Sequence, residues 1–125
     1  MTAKKDMYNK IVLDHFQNPR NMQELKNATA VGMGANPVCG DVMTLYLETE
    51  GNKITSASYK TLGCGAAIAS GSILTEMLKG LFIDEAKELT PKTLLDAMGG
   101  LPNIKLHCPE LAMEALKNAI RNFEK

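Results

Sequence analysis

The three cysteines are the residues in this chain of 125 that are best suited to chemistry. Each is predicted to lie where one element gives way to the next. Cys39 falls in a loop before a strand, Cys64 between a strand and a helix, and Cys108 immediately before Pro109, where the last helix is predicted to begin. Backbone N–H groups and the helix dipole favour negative charge at a helix N-terminus. The sequence therefore favours thiolates, the form that binds metals or attacks sulfur, at two of the three positions.

Two polar neighbours add further ligand atoms to the cysteines. Asp41 lies two residues after Cys39, and His107 directly precedes Cys108. Three thiolates and one oxygen or nitrogen atom complete a four-ligand site, and soft sulfur ligands suit zinc and iron–sulfur clusters. A carboxylate matches a soft cluster poorly, so its presence favours assembly and release over permanent storage.

Glycines surround these residues and suggest a supporting role. Gly40, Gly63 and Gly65 let the backbone turn freely and let a bulky group approach the chain closely. Lys105, which lies in the stretch before Cys108, is a further supporting candidate, although such a lysine is ordinarily a solvated charge.

Simpler interpretations exist for every member of this set. A single buried cysteine is more often a small hydrophobic residue than a ligand. Asp41 alone would suit a turn or cap, and His107 alone a surface or hydrogen-bonded position. The chain has no Cys-x-x-Cys pair, which argues against a zinc finger and against a thioredoxin-type redox site. Cys39 and Cys64 lie 25 positions apart and Cys64 and Cys108 lie 44 apart, so the ligands converge only if the fold brings their loops together.

The first half of the chain predicts one helix and then strands. A short amphipathic helix is expected over about residues 5–17, and Asn18-Pro19 ends it because the residue before proline avoids helical geometry. Residues 29–37 suggest a weak first strand and a loop. Residues 42–49 alternate like a strand, and residues 54–62 pair with them as a hairpin across the turn at 50–53.

The second half predicts helices. One begins after Gly65 with a single apolar face and ends near Gly80, and two short helices occupy residues 84–98, with Thr90-Pro91 as a cap. The clearest helix runs from Pro109 to about Phe123. This order predicts an α+β fold with a small three-stranded antiparallel sheet and helices packed on one face, formed by residues 1–125 as one domain.

Composition narrows the possible functions. Lys plus Arg and Asp plus Glu number 14 each, so the chain lacks the broad basic field of a general nucleic-acid binder. No apolar run approaches the roughly 20 residues of a membrane span, and Met1–Lys10 lacks the apolar segment of a secretory signal. A cytoplasmic location is expected, where an odd number of cysteines points to metal binding, redox chemistry or buried thiols.

The cysteine motifs resemble those of a known family. Cys39-Gly40-Asp41, the stretch from Gly63-Cys64-Gly65 to Ser70, and Leu106-His107-Cys108 are similar to the three motifs of IscU, the NifU-like iron–sulfur scaffold family. The segment from Leu13 to Asn21 resembles that family's N-terminal signature. The resemblance covers nearly the whole chain, in order and with similar spacing.

The resemblance implies a scaffold without turnover of its own, on which iron and sulfide are assembled. The cluster, most typically of two irons and two sulfides, is held by Cys39, Cys64 and Cys108, with Asp41 or His107 as the fourth ligand. Sulfur arrives as persulfide from a pyridoxal-phosphate cysteine desulfurase, with Cys108 as the favoured acceptor. An electron donor such as ferredoxin, apo-acceptor proteins, and a homodimer in the cluster-loaded form are the other implied partners, and zinc is implied for apo forms.

One departure, a comparison with a sister branch and two alternatives accompany the resemblance. Leu101-Pro102-Asn103-Ile104-Lys105 replaces the Leu-Pro-Pro-Val-Lys of members that use a dedicated Hsp70-type chaperone, which argues against chaperone-assisted release. The sister SufU branch carries an insertion before the last cysteine and lacks the adjacent histidine, so the uninterrupted His107-Cys108 favours the IscU branch. The first alternative is a zinc-bound persulfide acceptor that transfers sulfur. The second is a cysteine-nucleophile enzyme, for which no separate substrate-site signature is found.

Overall fold

A three-stranded antiparallel sheet in the order β1-β2-β3 forms the centre of the fold. The structure is a computed structural model that describes residues 8–37, 40–101 and 107–125. The strands are β1 (Ala30–Asn36), β2 (Asp41–Glu50) and β3 (Lys53–Leu62). The hairpin predicted between β2 and β3 is confirmed, and it turns at Gly51, whose φ of 62° is favourable for glycine. The segment predicted as a weak strand is a full strand of seven residues.

Five helices accompany the sheet in the described residues. They are α1 (Lys10–Gln17), α2 (Gly65–Leu78), α3 (Ile83–Lys87), α4 (Pro91–Ala97) and α5 (His107–Glu124). The two short helices and the Thr90 cap are confirmed, since the Thr90 hydroxyl accepts a hydrogen bond from Thr93 N. No helix in this part of the chain is long and apolar enough to cross a membrane.

One face of the sheet carries the core. Met43, Leu45 and Leu47 point from β2 into it and have no solvent exposure. Helices α2 and α5 pack over this face, so the predicted α+β architecture is confirmed. The opposite face is more open, because Val31 and Met33 on β1 are exposed.

Helix α5 packs against β1 with almost no intervening side chains. A Cβ built on Gly32 would lie 2.1 Å from the backbone nitrogen of Ala119, and one built on Gly34 would lie 2.5 Å from the carbonyl oxygen of Leu111. Real Cβ atoms do not approach backbone atoms so closely, so only glycine permits this contact. The close approach explains why a stretch with few large side chains nevertheless forms a stable strand.

Helix α2 is buried on nearly all sides, so the prediction of a single apolar face for it was incomplete. Gly71 meets the ring of the fully buried Tyr59, whose hydroxyl donates a 2.6 Å hydrogen bond to the carbonyl of Ile68. Burial raises the pKa of Tyr59 well above its usual value, which keeps the hydroxyl a donor. Small residues at the N-terminal half of α2 let it fit between the sheet and its helical neighbours.

Helix α1 packs on α2 and begins later than predicted. Asn9 caps it by accepting a hydrogen bond from Val12 N, so the helix starts at Lys10 rather than near residue 5, and residues 1–7 lie outside the described residues. Ser72 on α2 contacts both ends of the turn that follows α1. Its hydroxyl lies 2.7 Å from His15 Nδ1 and accepts a 2.9 Å hydrogen bond from Arg20 N.

Candidate metal-binding site

Cys64 lies at the junction between β3 and α2, as predicted. It is the N-cap residue of α2, with an extended backbone (φ −77°, ψ 175°), and its carbonyl accepts the first helical hydrogen bond from Ile68 N at 3.1 Å. Its partly buried side chain makes no capping hydrogen bond. The sulfur is therefore placed beside the N-terminal N–H groups of a helix, where a thiolate is favoured.

Cys108 is the second residue of α5 and is fully buried. The helix begins at His107, two residues before the predicted start at Pro109. Proline fits there because the first turn of a helix leaves its N–H groups without intrahelical partners, so the missing donor costs little. The start of α5 is packed into the core, so solvent does not reach the Cys108 side chain.

The sulfur atoms of Cys64 and Cys108 lie 3.7 Å apart although 44 positions separate the residues. This distance is much longer than the roughly 2.05 Å of a disulfide bond. Two thiolates on one tetrahedral metal with bonds of about 2.3 Å are separated by about 3.8 Å. The pair is therefore spaced as two ligands of a shared metal would be.

Asp41 and His107 contribute the oxygen and nitrogen atoms. One ligand atom each from Asp41, His107 and Cys108 lie within 4.8 Å of one another. Asp41 is the first residue of β2 and is only 8% exposed, whereas His107 is half-buried. Two cysteine sulfurs, a carboxylate and an imidazole form a donor set typical of zinc and iron sites, so the chemistry of this group favours a metal.

The supporting glycines differ in their roles. Gly40, just before Asp41, has a φ of 77° and nothing near the position of a Cβ, so its backbone conformation is what favours glycine. Gly63 packs against the Asp41 carboxylate, because a Cβ there would lie 3.0 Å from Asp41 Cγ. Gly65 instead receives the ring of Phe16, whose Cδ1 would lie 3.1 Å from a Cβ.

Two of the residues predicted for the site, Cys39 and Lys105, lie outside the described residues. Sequence reasoning missed Phe16, which brings α1 to within one residue of Cys64. The available signals were an aromatic side chain near the end of a short amphipathic helix and its place in the Leu13–Asn21 motif. Neither identified its partner, which is a glycine about 50 positions away.

The described residues thus bring two thiols, a carboxylate and an imidazole to the end of the sheet where β2 begins. This mixture of soft sulfur and harder oxygen and nitrogen atoms can hold zinc, iron or a small cluster. The carboxylate and the imidazole offer ligands that exchange more readily than thiolates on a cluster iron.

Comparison with known proteins agrees with this chemistry. Residues 7–125 match the family model described as the NifU-like N terminal domain. "Iron-sulfur cluster assembly scaffold protein IscU 1" of Archaeoglobus fulgidus is 48% identical over 117 residues, which cover 94% of this chain and 76% of that protein. "Iron-sulfur cluster assembly scaffold protein IscU" of Aquifex aeolicus is 48% identical over 118 residues, which cover 93% of this chain and 75% of that protein.

A solved structure supports the fold. The N-terminal part of a nitrogen-fixing NifU-like protein from Brucella abortus superposes with a TM-score of 0.79. The superposition covers 98% of each chain at 20% sequence identity, which at this level describes the architecture alone.

Proposed function

Because the chain belongs to the NifU-like N-terminal domain family, we propose that it is a scaffold on which an iron–sulfur cluster is assembled and from which the cluster passes to apo-acceptor proteins. The cluster is cargo rather than a resident cofactor. The observation that carries the proposal is the 3.7 Å separation of the Cys64 and Cys108 sulfurs, next to the carboxylate of Asp41 and the imidazole of His107.

The proposed ligands are Cys39, Cys64 and Cys108, with Asp41 or His107 as the fourth. Burial of Cys108 shields one side of the metal from solvent, while the partly exposed Cys64 lies where a partner's ligands can reach. A carboxylate or imidazole on a cluster iron is more easily replaced than a thiolate. This combination of a buried anchor and an exchangeable ligand suits assembly and transfer.

Sulfur enters, in this proposal, as a persulfide from a cysteine desulfurase, with Cys108 as the acceptor. The position of Cys108 in the first turn of α5 supports its ionisation. Because Cys108 is fully buried in this structure, delivery requires the start of α5 to move or the desulfurase to open the site. Labelled sulfur should be found on Cys108 by peptide mass spectrometry, and unchanged total labelling in Cys108→Ser would contradict this assignment.

Further partners follow from the scaffold role. We propose a ferredoxin-type electron donor, a homodimer in the cluster-loaded form and a cytoplasmic location, with residues 1–125 acting as one domain. Supporting glycines at 40, 63 and 65 shape the site, and Lys105 is proposed to assist beside Cys108. A dedicated chaperone is not proposed, because Asn103 and Ile104 replace the second proline and the valine of the chaperone-binding sequence.

Anaerobic reconstitution with ferrous iron, cysteine, a desulfurase and dithiothreitol as the reductant tests the scaffold proposal. We expect visible absorption bands and Mössbauer spectra of a cluster with two irons and two sulfides, which an apo-ferredoxin then acquires. Cys64→Ser and Cys108→Ser should each abolish stable loading. Thr44→Ser, a conservative change on the sheet away from the proposed ligands, is the control and should load normally.

The same experiment separates the zinc-bound sulfur-transfer alternative. In that case zinc would remain bound after reconstitution, labelled persulfide would form, and no cluster spectrum would develop. That result would overturn the scaffold proposal while leaving the ligand set intact.

A further inference from the structure

Strand β1 forms an edge of the sheet, and α5 pairs with this edge through side chains. The Asn122 amide donates a 2.7 Å hydrogen bond to the carbonyl of Val31, and the Asn118 amide donates one of 2.6 Å to the carbonyl of Met33. Glu114 Oε1 accepts a third, of 3.1 Å, from the backbone nitrogen of Ala35. We call Glu114, Asn118 and Asn122 the polar ladder.

The spacing of the ladder residues along α5 matches the spacing of their partners along β1. Its members are four residues apart, and four helical residues rise about 6.0 Å. The strand atoms that they bind are two residues apart, and two strand residues span about 6.6 Å. Since the two distances nearly agree, three successive bonds can form without bending α5. The side chains of the ladder thus occupy backbone groups of β1 that a fourth strand would otherwise bind.

Two glycines of β1 hold α5 against the face of the same strand. Gly32 and Gly34 alternate with the ladder's partners along β1, and each brings the strand backbone against the backbone of α5. The ladder binds the edge of β1 while the glycines seat α5 on its face. Together they restrict both sliding and rotation of the helix relative to β1.

The position of α5 decides the geometry of the candidate site. His107 and Cys108 are its first two residues, whereas Asp41 and Cys64 belong to the ends of β2 and α2. A slip of α5 by one turn would move Cys108 by about 5.4 Å, which exceeds its 3.7 Å distance from Cys64. We propose that the polar ladder positions Cys108 and His107 opposite Cys64 and Asp41. The role of the ladder in cluster assembly rests on the proposed function, whereas its effect on the position of Cys108 does not.

The alternative is that the ladder only protects the edge of β1 from pairing with other chains, as proteins commonly do. Edge protection predicts aggregation when the ladder is removed, with the sulfur distance unchanged in the remaining monomer. Positioning predicts a change in the monomer itself, and this difference makes the two roles separable.

The test measures the effective concentration of the Cys64 and Cys108 thiols toward each other. The full chain carrying Cys39→Ser is equilibrated without metal in reduced and oxidised glutathione, and the Cys64–Cys108 disulfide is quantified by mass spectrometry. Asn118→Asp/Asn122→Asp removes both donors with almost no change in shape. We expect the effective concentration in the monomer to fall at least tenfold.

Controls separate positioning from the added negative charge and from lost helix stability. Lys117→Gln/Lys125→Gln makes the same change in net charge at exposed residues outside the ladder, and Lys117→Gly weakens α5 without touching β1. Both should stay within twofold of the parent. Glu114→Gln keeps a carbonyl acceptor for Ala35 N and should also resemble the parent, whereas Glu114→Ala should lower the effective concentration severalfold.

An effective concentration within twofold of the parent in both Asn118→Asp/Asn122→Asp and Glu114→Ala would overturn the proposal. An equal fall in Lys117→Gly would also overturn it, because general weakening of α5 would then explain the effect. If the double variant does not fold, the comparison of Glu114→Ala with Glu114→Gln decides alone. Since no metal or desulfurase is present, failure of the scaffold proposal would not alter these results.

Discussion

The backbone of Gly63 lies directly against the carboxylate of Asp41. A Cβ added at Gly63 would be 3.0 Å from both Asp41 Cγ and Ala67 Cβ and 3.1 Å from Asp41 Oδ2, tighter than ordinary van der Waals contact; of the two neighbours, the carboxylate side chain is the one that can rotate away. The glycine before Cys64 thus fixes where a proposed ligand on another strand can sit. This contact joins two of the cysteine motifs through a residue that binds no metal itself.

Gly63→Ala should therefore displace the Asp41 carboxylate by a few tenths of an ångström and alter cluster transfer without preventing assembly. We expect the transfer rate to lie between that of the parent and that of Asp41→Ala. Transfer to apo-ferredoxin is followed anaerobically by circular dichroism. Gly65→Ala is the matched control, because its Cβ meets the Phe16 ring rather than Asp41, and equal effects of both substitutions would contradict the prediction.

Asp41→Ala should slow cluster transfer severalfold and lengthen the lifetime of the bound cluster. The reason is that a hard carboxylate matches a cluster iron poorly, so its removal allows His107 or a non-protein ligand to replace it. The variant should fold nearly normally. Equal or faster transfer at normal cluster loading would leave Asp41 with a role in the turn only, and Asp41→Asn separates loss of charge from loss of the side chain.

His15 should make stability depend on pH. Burial, and then the charge of Arg20, lower the pKa of His15, while Asp14 and Glu76 oppose the shift. The unfolded chain therefore binds more protons than the folded chain at mildly acidic pH. The contribution of neutral His15 is complete above about pH 6.5 and is lost as the pH falls toward the lowered pKa of the folded state.

Urea unfolding at pH 7.5 and pH 5.5 measures this effect. The midpoint should fall more for the parent chain than for His15→Gln, because glutamine cannot take up the proton. Identical changes in both proteins would show that other groups carry the pH dependence.

Gly32→Ala should destabilise the fold strongly. The new methyl group would meet the backbone of α5 at Ala119 and Ala115, which cannot rotate away as a side chain could. Overpacking of this kind costs about 1–3 kcal/mol and occasionally more. Chemical denaturation measures the change, and Val31→Ala on the exposed face of the same strand should cost less than about 1 kcal/mol.

Local patterns in the sequence determined the elements and their order. The alternation of Met43, Leu45 and Leu47 set both the strand and its buried face, and Thr90-Pro91 defined the start of a helix. Such features depend on neighbours two to four residues away, so they can be recognised from the sequence without knowledge of the fold. Two helix starts differed from the prediction: Asn9 caps the first helix through a side-chain hydrogen bond that periodicity does not reveal, and the last helix begins at His107, two residues before Pro109.

The chemistry of the site could also be predicted from the sequence, because cysteine, aspartate and histidine beside glycine at element junctions already indicate metal binding. Only the tertiary structure decided that the Cys64 and Cys108 sulfurs lie 3.7 Å apart and that Cys108 is buried. Those properties depend on the seating of α5 against Gly32 and Gly34 and on contacts between residues some 80 positions apart. Sequence spacing carries no information on such distances, because they follow from the summed packing of the whole chain.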